Sequence, residues 1–68
     1  MNRIKVVLVE KEMSILELAR KTGLSRITLG SYCNNITQPN LEKLAIIALA
    51  LGVHMDELII DPTRTKEG

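Results

Sequence analysis

The side chains best suited to binding a ligand lie in the middle of this 68-residue chain. From Arg20 to Leu41 the sequence contains three cations, Arg20, Lys21 and Arg26, and no acidic residue. Most acidic residues lie towards the two ends, among them Glu10, Glu12, Asp56, Glu57 and Asp61. Because guanidinium and ammonium groups bind phosphate oxygens, the middle stretch is predicted to face a nucleic-acid backbone, although the net charge of +1 is lower than in most dedicated binders.

Residues that could catalyse a reaction or bind a metal are scarce. The chain has one histidine, His54, and one cysteine, Cys33, with no serine–histidine–acid set, no glycine-rich phosphate loop and no ligands at metal spacing. The sequence therefore predicts no enzymatic activity, no cofactor, no metal and no small-molecule ligand. We expect Cys33 to be a small core or flank residue and His54 to have a structural role at a helix start.

The cysteine content also bears on the compartment. A lone cysteine cannot form an intrachain disulfide, which a secreted domain of this size would normally need. The apolar stretch Val6–Val9 is closed by Glu10 and is too short for a signal peptide or a membrane span. A cytoplasmic protein without a membrane partner is expected.

A single helical domain must position the binding side chains. Apolar residues make up 46% of the chain, mostly Leu, Ile, Val and Ala, and Tyr32 is the only aromatic. Strand-rich small domains usually carry more aromatics, so an all-α fold is favoured. We predict one domain over residues 1–61 and a flexible polar tail over 62–68, beginning at Pro62.

Five helical segments follow from apolar spacing and capping residues, at 2–11, 14–22, 25–35, 41–51 and 54–59. Ser14 and Glu17 fit a capping box, and Ser25 and Asn40 are expected N-caps. Gly23 is expected to end the second segment. The side chains predicted to face inward are Ile4, Val7, Leu8, Leu18, Ala19, Leu29, Tyr32, Leu44, Ile47, Ala48, Leu51, Met55 and Leu58.

The second and third segments, joined at Gly23, have the spacing of a helix-turn-helix. The chain resembles the phage-repressor and Cro-like family of bacterial regulators over residues 4–59. The residues that carry the resemblance are Met13-Ser14, Leu18-Ala19, the run from Lys21 to Arg26, Pro39, Leu41, Leu44, Ala48, Leu51-Gly52-Val53 and Asp56-Glu57-Leu58. The resemblance implies a compact five-helix domain that binds operator DNA, usually as a two-fold dimer, and regulates transcription.

The resemblance also implies roles for individual residues. Segment 25–35 would be the recognition helix in the major groove, with Arg26, Ile27 and Ser31 contacting bases. The side chains expected to contact or flank phosphates are Ser25, Thr28, Asn34, Asn35, Thr37, Asn40 and Lys43. The chain departs from the family pattern at three positions, where Ile15 replaces a common Gln, Cys33 an acidic residue and Asn35 a Gly.

An apolar surface is predicted at the end of the fourth segment. Ile46 and Leu49 occupy positions that are commonly polar in the family, and with Ile59 or Ile60 they could form a homodimer interface. The leading interpretation is a dimeric, sequence-specific DNA-binding regulator. The alternative is a protein-interaction module, such as an antitoxin or an accessory phage or mobile-element factor, in which the apolar surface docks another protein.

Overall fold

The computed structural model describes residues 1–59, which contain four α-helices and one short 3₁₀ helix. The α-helices are Ile4–Glu10 (α1), Ile15–Thr22 (α2), Arg26–Cys33 (α3) and Leu41–Leu51 (α4). The 3₁₀ helix spans Met55–Leu58. The all-α prediction is confirmed. The predicted tail at 62–68 and Ile60 lie outside the described residues, as does the end of the predicted domain at residue 61.

The last of the five predicted segments, 54–59, forms a single 3₁₀ turn over Met55–Leu58, so the described residues have four α-helices and not five. Ile59 has extended backbone angles, φ −115° and ψ 136°, because it pairs with Asn2 in an isolated antiparallel bridge. The backbone N–H of Arg3 also donates to the carbonyl of Leu58 (2.8 Å). The same pairing explains why α1 begins at Ile4 and not at the predicted residue 2.

The predicted helix starts are confirmed by side-chain caps. Ser14 Oγ accepts a hydrogen bond from the backbone N–H of Glu17 (3.0 Å), and Ser25 Oγ accepts one from Thr28 (3.1 Å). Asn40 Oδ1 accepts one from Lys43 (2.8 Å). Each cap satisfies a backbone donor that has no partner within its helix, and so defines where α2, α3 and α4 begin.

The turn between α2 and α3 is set by two residues. Gly23 has φ +79°, a left-handed conformation that side chains with a Cβ rarely adopt. Thr22 Oγ1 donates to the carbonyl of Leu18 (2.8 Å) and accepts from the backbone N–H of Leu24 (3.2 Å). These two hydrogen bonds of Thr22 tie the turn to the last residues of α2.

The core lies between the helices and is aliphatic except for one ring. Side chains from all four α-helices and from the 3₁₀ helix contribute to it, and the partly buried Met55 packs against it. The buried residues are Ile4, Val7, Leu8, Leu18, Leu29, Tyr32, Cys33, Leu44, Ile47, Ala48, Leu51 and Leu58. Ala19 is partly buried and packs against the core, which agrees with its predicted inward position. Within residues 1–59 no helix is long and apolar enough to cross a membrane.

Candidate nucleic-acid interface

Helix α3 buries one face and exposes the other. Leu29, Tyr32 and Cys33 are buried on the core side. Ile27, which lies about 160° round the helix from Leu29, is 86% exposed. Arg26 is also exposed and Ser31 is half-buried. The three residues predicted to contact bases therefore lie at the start and on the outward side of α3, where a groove could reach them.

Two hydroxyls at the start of α3 bond to each other. Besides capping the helix, Ser25 Oγ donates to Thr28 Oγ1 (2.9 Å). Ser25 is exposed and Thr28 is half-buried. The predicted phosphate-contacting pair is thus held in one arrangement by the cap, beside the exposed Arg26.

The loop from Asn34 to Asn40 carries the other predicted phosphate contacts. Asn34, Thr37 and Asn40 are exposed, whereas Asn35 is half-buried. Lys43 follows in the first turn of α4 and is half-buried. The carbonyl of Ser31 accepts hydrogen bonds from the backbone N–H groups of residues 36 and 37 (2.9 and 3.4 Å), so the loop folds back against the end of α3. The residues predicted to contact phosphates therefore lie on a loop held beside α3.

Asn35 adopts φ +57°, a left-handed backbone conformation. Asparagine tolerates this region better than most residues because its short polar side chain bonds locally. In this structure Asn35 Oδ1 accepts hydrogen bonds from the backbone N–H of Asn2 (2.9 Å) and from Gln38 Nε2 (3.1 Å). The glycine that the family commonly has here could supply only the left-handed backbone, whereas the asparagine side chain also accepts these two hydrogen bonds.

Sequence reasoning missed Asn2 and Gln38. Asn2 is only 7% exposed and its side chain reaches residues in the 34–40 loop. A polar residue just before an apolar helical stretch could have been interpreted as a cap for α1. Its partners lie thirty or more positions away and could not have been identified from local spacing.

Two of the departures from the family pattern are explained by packing. Ile15 is half-buried and packs against the core, so the family's polar contact at this position is replaced by an apolar one. Cys33 is buried, and this burial raises the pKa of its thiol, an effect that the cation of Lys5 opposes only in part. A buried protonated thiol behaves as a small apolar side chain, as predicted for Cys33.

His54 lies just before the 3₁₀ helix, where a structural role was predicted. Its backbone N–H donates to Glu57 Oε2 (3.1 Å), and its carbonyl accepts from the backbone N–H of Glu57 (3.0 Å). Over the described part of the chain, no three histidine, cysteine, aspartate or glutamate side chains are grouped so as to hold a metal ion.

The predicted apolar surface is exposed on α4 and after the 3₁₀ helix. Leu49 is 84% exposed, Ile46 is 37% exposed and Ile59 is 44% exposed. Leu49 borders a shallow groove with Val53, whereas Ile59 borders a separate groove with Leu41. We call Ile46 and Leu49 the α4 apolar surface; Ile59, which was predicted to join them, lies in the separate groove.

Comparisons with known proteins agree with this architecture. A helix-turn-helix family model matches residues 4–58. The immunity repressor protein of Bacillus phage phi105 is 32% identical over 65 residues, which cover 96% of this chain and 45% of the repressor. The chain thus spans about half the length of that relative. A crystal structure from Bacteroides fragilis, of a protein to which DNA binding has been ascribed, superposes with a TM-score of 0.81 at 41% identity and covers 85% of this chain and 94% of that one.

Proposed function

This chain belongs to the helix-turn-helix family of phage-repressor and Cro-like regulators, and from that premise we propose that it binds operator DNA and regulates transcription as a repressor. The observation that carries the proposal is the position of α3. It follows a hydrogen-bonded turn, buries one face and presents Arg26 and Ile27 to solvent at its start. A helix held in this way can enter the major groove with its first turns against the base edges.

The exposed side chains of α3 supply the base contacts in this proposal. Arg26 would donate two hydrogen bonds to O6 and N7 of a guanine, which is the commonest specific contact in the major groove. Ile27 would contact a thymine methyl group, and the hydroxyl of Ser31 would bond to a neighbouring base edge. Support comes from the exposure of Arg26 and Ile27 and from their shared position on the outward side of α3.

Phosphate contacts flank this helix on both sides. Ser25 and Thr28 lie at its start, and the loop after its end leads into α4. The residues proposed from the loop and α4 are Asn34, Asn35, Thr37, Asn40 and Lys43. Their support is that the loop folds back onto Ser31, which places it beside α3. Such contacts orient the protein on the duplex without reading its sequence.

We propose that two copies bind together through the α4 apolar surface. The proposal is supported by the largely exposed Leu49, which lies one turn along α4 from the partly exposed Ile46. A two-fold dimer would place its two α3 helices in successive major grooves, about 34 Å apart on a near-palindromic site.

The second candidate function is a protein-interaction module. The same exposed Leu49 favours it, because this side chain could dock a different protein as well as a second copy. In that case the helix-turn-helix would serve as a scaffold and DNA affinity would be weak at all salt concentrations. The cytoplasmic location is shared by both candidates and is supported by the single buried thiol of Cys33.

Selection of bound duplexes from a randomised DNA pool tests the proposal. We expect enrichment of a near-palindromic sequence, and an affinity for it that falls steeply as salt rises, because condensed counterions are released on binding. Failure to enrich any duplex would show that the chain is not a sequence-specific regulator. That result would leave the interaction module as the favoured function.

A further inference from the structure

The buried side chain of Asn2 uses all its hydrogen-bonding groups to join three parts of the molecule. Its Nδ2 donates to the carbonyl of Tyr32 (2.9 Å) and to Gln38 Oε1 (2.9 Å). Its Oδ1 accepts from the backbone N–H of Ile4 (3.0 Å), at the start of α1. The backbone N–H of Asn2 donates to Asn35 Oδ1 (2.9 Å). One residue thus links the start of α1, the end of α3 and the loop that follows.

The contacts within the loop close into a network. Gln38 Nε2 donates to Asn35 Oδ1 (3.1 Å), so Asn2, Asn35 and Gln38 are each bonded to the other two. We call these three residues the Asn2 network. Asn35 lies near the beginning of the loop and Gln38 near its end, and the network ties these two positions together.

We propose that Asn2 is a positioning residue for DNA binding, which holds the 34–40 loop in the conformation that contacts phosphates. The inference rests on the proposed function. The exposed Asn34, Thr37 and Asn40 belong to a segment that has no buried apolar side chain of its own. Such a segment would lose conformational entropy on binding unless it is already ordered, and the Asn2 network supplies that order in the free protein.

If Asn2 positions the loop, replacing it should lower DNA affinity in a different pattern from replacing a residue that contacts bases. If Asn2 acts through the loop, its replacement weakens contacts to the backbone, which are the same for every sequence. Affinity for the selected duplex and for an unrelated duplex should fall by the same factor. The preference between bases opposite Arg26 should not change.

Two substitutions isolate the network. Asn2→Ser keeps an oxygen that can accept from the N–H of Ile4, but it is too short to reach both Tyr32 and Gln38. Gln38→Ala, at an exposed position with no proposed DNA contact, removes the side chain that accepts from Asn2 Nδ2 and donates to Asn35 Oδ1. Each variant is expected to bind both duplexes about tenfold more weakly with an unchanged salt dependence, because residues 34–40 include no cation that would release counterions from the DNA. The double variant should lose little more than either single one, because both remove the same network.

The measurement is fluorescence anisotropy with both duplexes over a salt series, at a temperature where circular dichroism shows each variant to be folded. Amide hydrogen exchange in the free protein provides a second readout, and the N–H groups of residues 36 and 37 should exchange faster in both variants. Where Asn2→Ser does not fold, Gln38→Ala tests the same network from an exposed position.

The outcomes separate the two proposals. Wild-type protein that binds no duplex would overturn the proposed function and the positioning role together. Wild-type protein that binds, with folded variants that bind equally well, would overturn the positioning role alone. A loss confined to the selected duplex would also overturn it, because Asn2 would then be acting on base recognition.

Discussion

Arg26 and Ile27 are adjacent residues with different chemistry, and α3 exposes both of them. A guanidinium recognises paired acceptors and a branched alkyl group recognises a methyl, so two neighbouring side chains can distinguish neighbouring base pairs. Neither residue contributes to the core. Replacing either one should therefore change recognition without a large effect on folding.

Arg26→Ala is expected to relax sequence preference at one base pair by about 1–3 kcal/mol, because a bidentate contact to guanine is removed. Competition binding against duplexes substituted at each position measures this effect. Lys43→Ala is the matched control, and it should weaken binding to all sequences alike. A uniform loss from Arg26→Ala would instead place Arg26 on a phosphate.

Cys33 should make stability depend on pH in the alkaline range. Burial raises the pKa of its thiol above the ordinary value of 9.0, so the folded state holds this proton more tightly than the unfolded state. The stabilisation that this provides is fully present below the unfolded pKa and is lost as the pH rises through the folded pKa. Wild-type protein should exceed Cys33→Ala in stability at neutral pH, and the difference should narrow above about pH 9. Urea denaturation of both proteins from pH 7 to 10 measures it, and a difference that stays constant would show that the thiol does not titrate differently on folding.

The helix-capping roles of several residues could be predicted from their neighbours in the sequence. Ser14, Ser25 and Asn40 cap the helices that they were predicted to cap, because a cap bonds only two or three positions along the chain. Asn2 was not predicted, since its partners Tyr32, Asn35 and Gln38 become neighbours only after α1 packs against α3. The base and phosphate contacts stay predictions.

At the scale of the elements, α3 is poorly suited to form by itself. It has eight residues with Gly30 in the middle, where glycine costs about 1 kcal/mol relative to alanine. Its apolar residues Leu29, Tyr32 and Cys33 pack against the core and offset this cost. The stability of the recognition helix therefore depends on its neighbours more than on its own sequence.

Gly30→Ala should stabilise the protein by about 0.5–1 kcal/mol, since a Cβ at this position would meet no atom within 4 Å. Chemical denaturation gives the change in the unfolding free energy. Gly23→Ala is the contrasting variant and should destabilise, because Gly23 needs its left-handed backbone. A loss of stability from Gly30→Ala would mean that α3 has a contact in solution that the structure does not show.

The elements were largely predictable, and the exceptions share a cause. The fourth segment was predicted at 41–51 and the structure has α4 at Leu41–Leu51, because Asn40 and Gly52 mark both ends. The last segment and the start of α1 were predicted less well. Both are changed by the Asn2–Ile59 bridge, which pairs backbone from opposite ends of the described chain and leaves no periodic pattern in the sequence.

At the scale of the whole molecule, the exposed apolar side chains are not confined to the proposed dimer interface. Val9 on α1 is 70% exposed and lies apart from the α4 apolar surface, in a groove bordered by Lys5 and Cys33. Exposure by itself therefore does not identify the interface. Helix α1 carries an exposed pair at the same spacing, Val6 and Val9, and the α4 apolar surface differs from it in having the larger and more exposed side chain, Leu49.

Leu49→Lys is expected to convert a dimer to a monomer and to weaken operator binding, with no loss of stability because the side chain is already in water. Light scattering at micromolar concentrations measures the oligomeric state. Val9→Lys places the same charge on another exposed aliphatic position and should leave the dimer intact. Wild-type protein that is monomeric both alone and on operator DNA would contradict the proposed interface.

The bridge between Asn2 and Ile59 has a consequence for the order in which the domain assembles during synthesis. The turn from α2 to α3 uses contacts between residues close in the chain, and it can form as soon as both helices have left the ribosome. The strand-like pairing of residues 2 and 3 with residues 58 and 59 must wait until the last of these has been translated. A nascent chain should therefore form the turn from α2 to α3 before residues 2 and 3 pair with residues 58 and 59, and α3 should become stable only when the core that packs against it is complete.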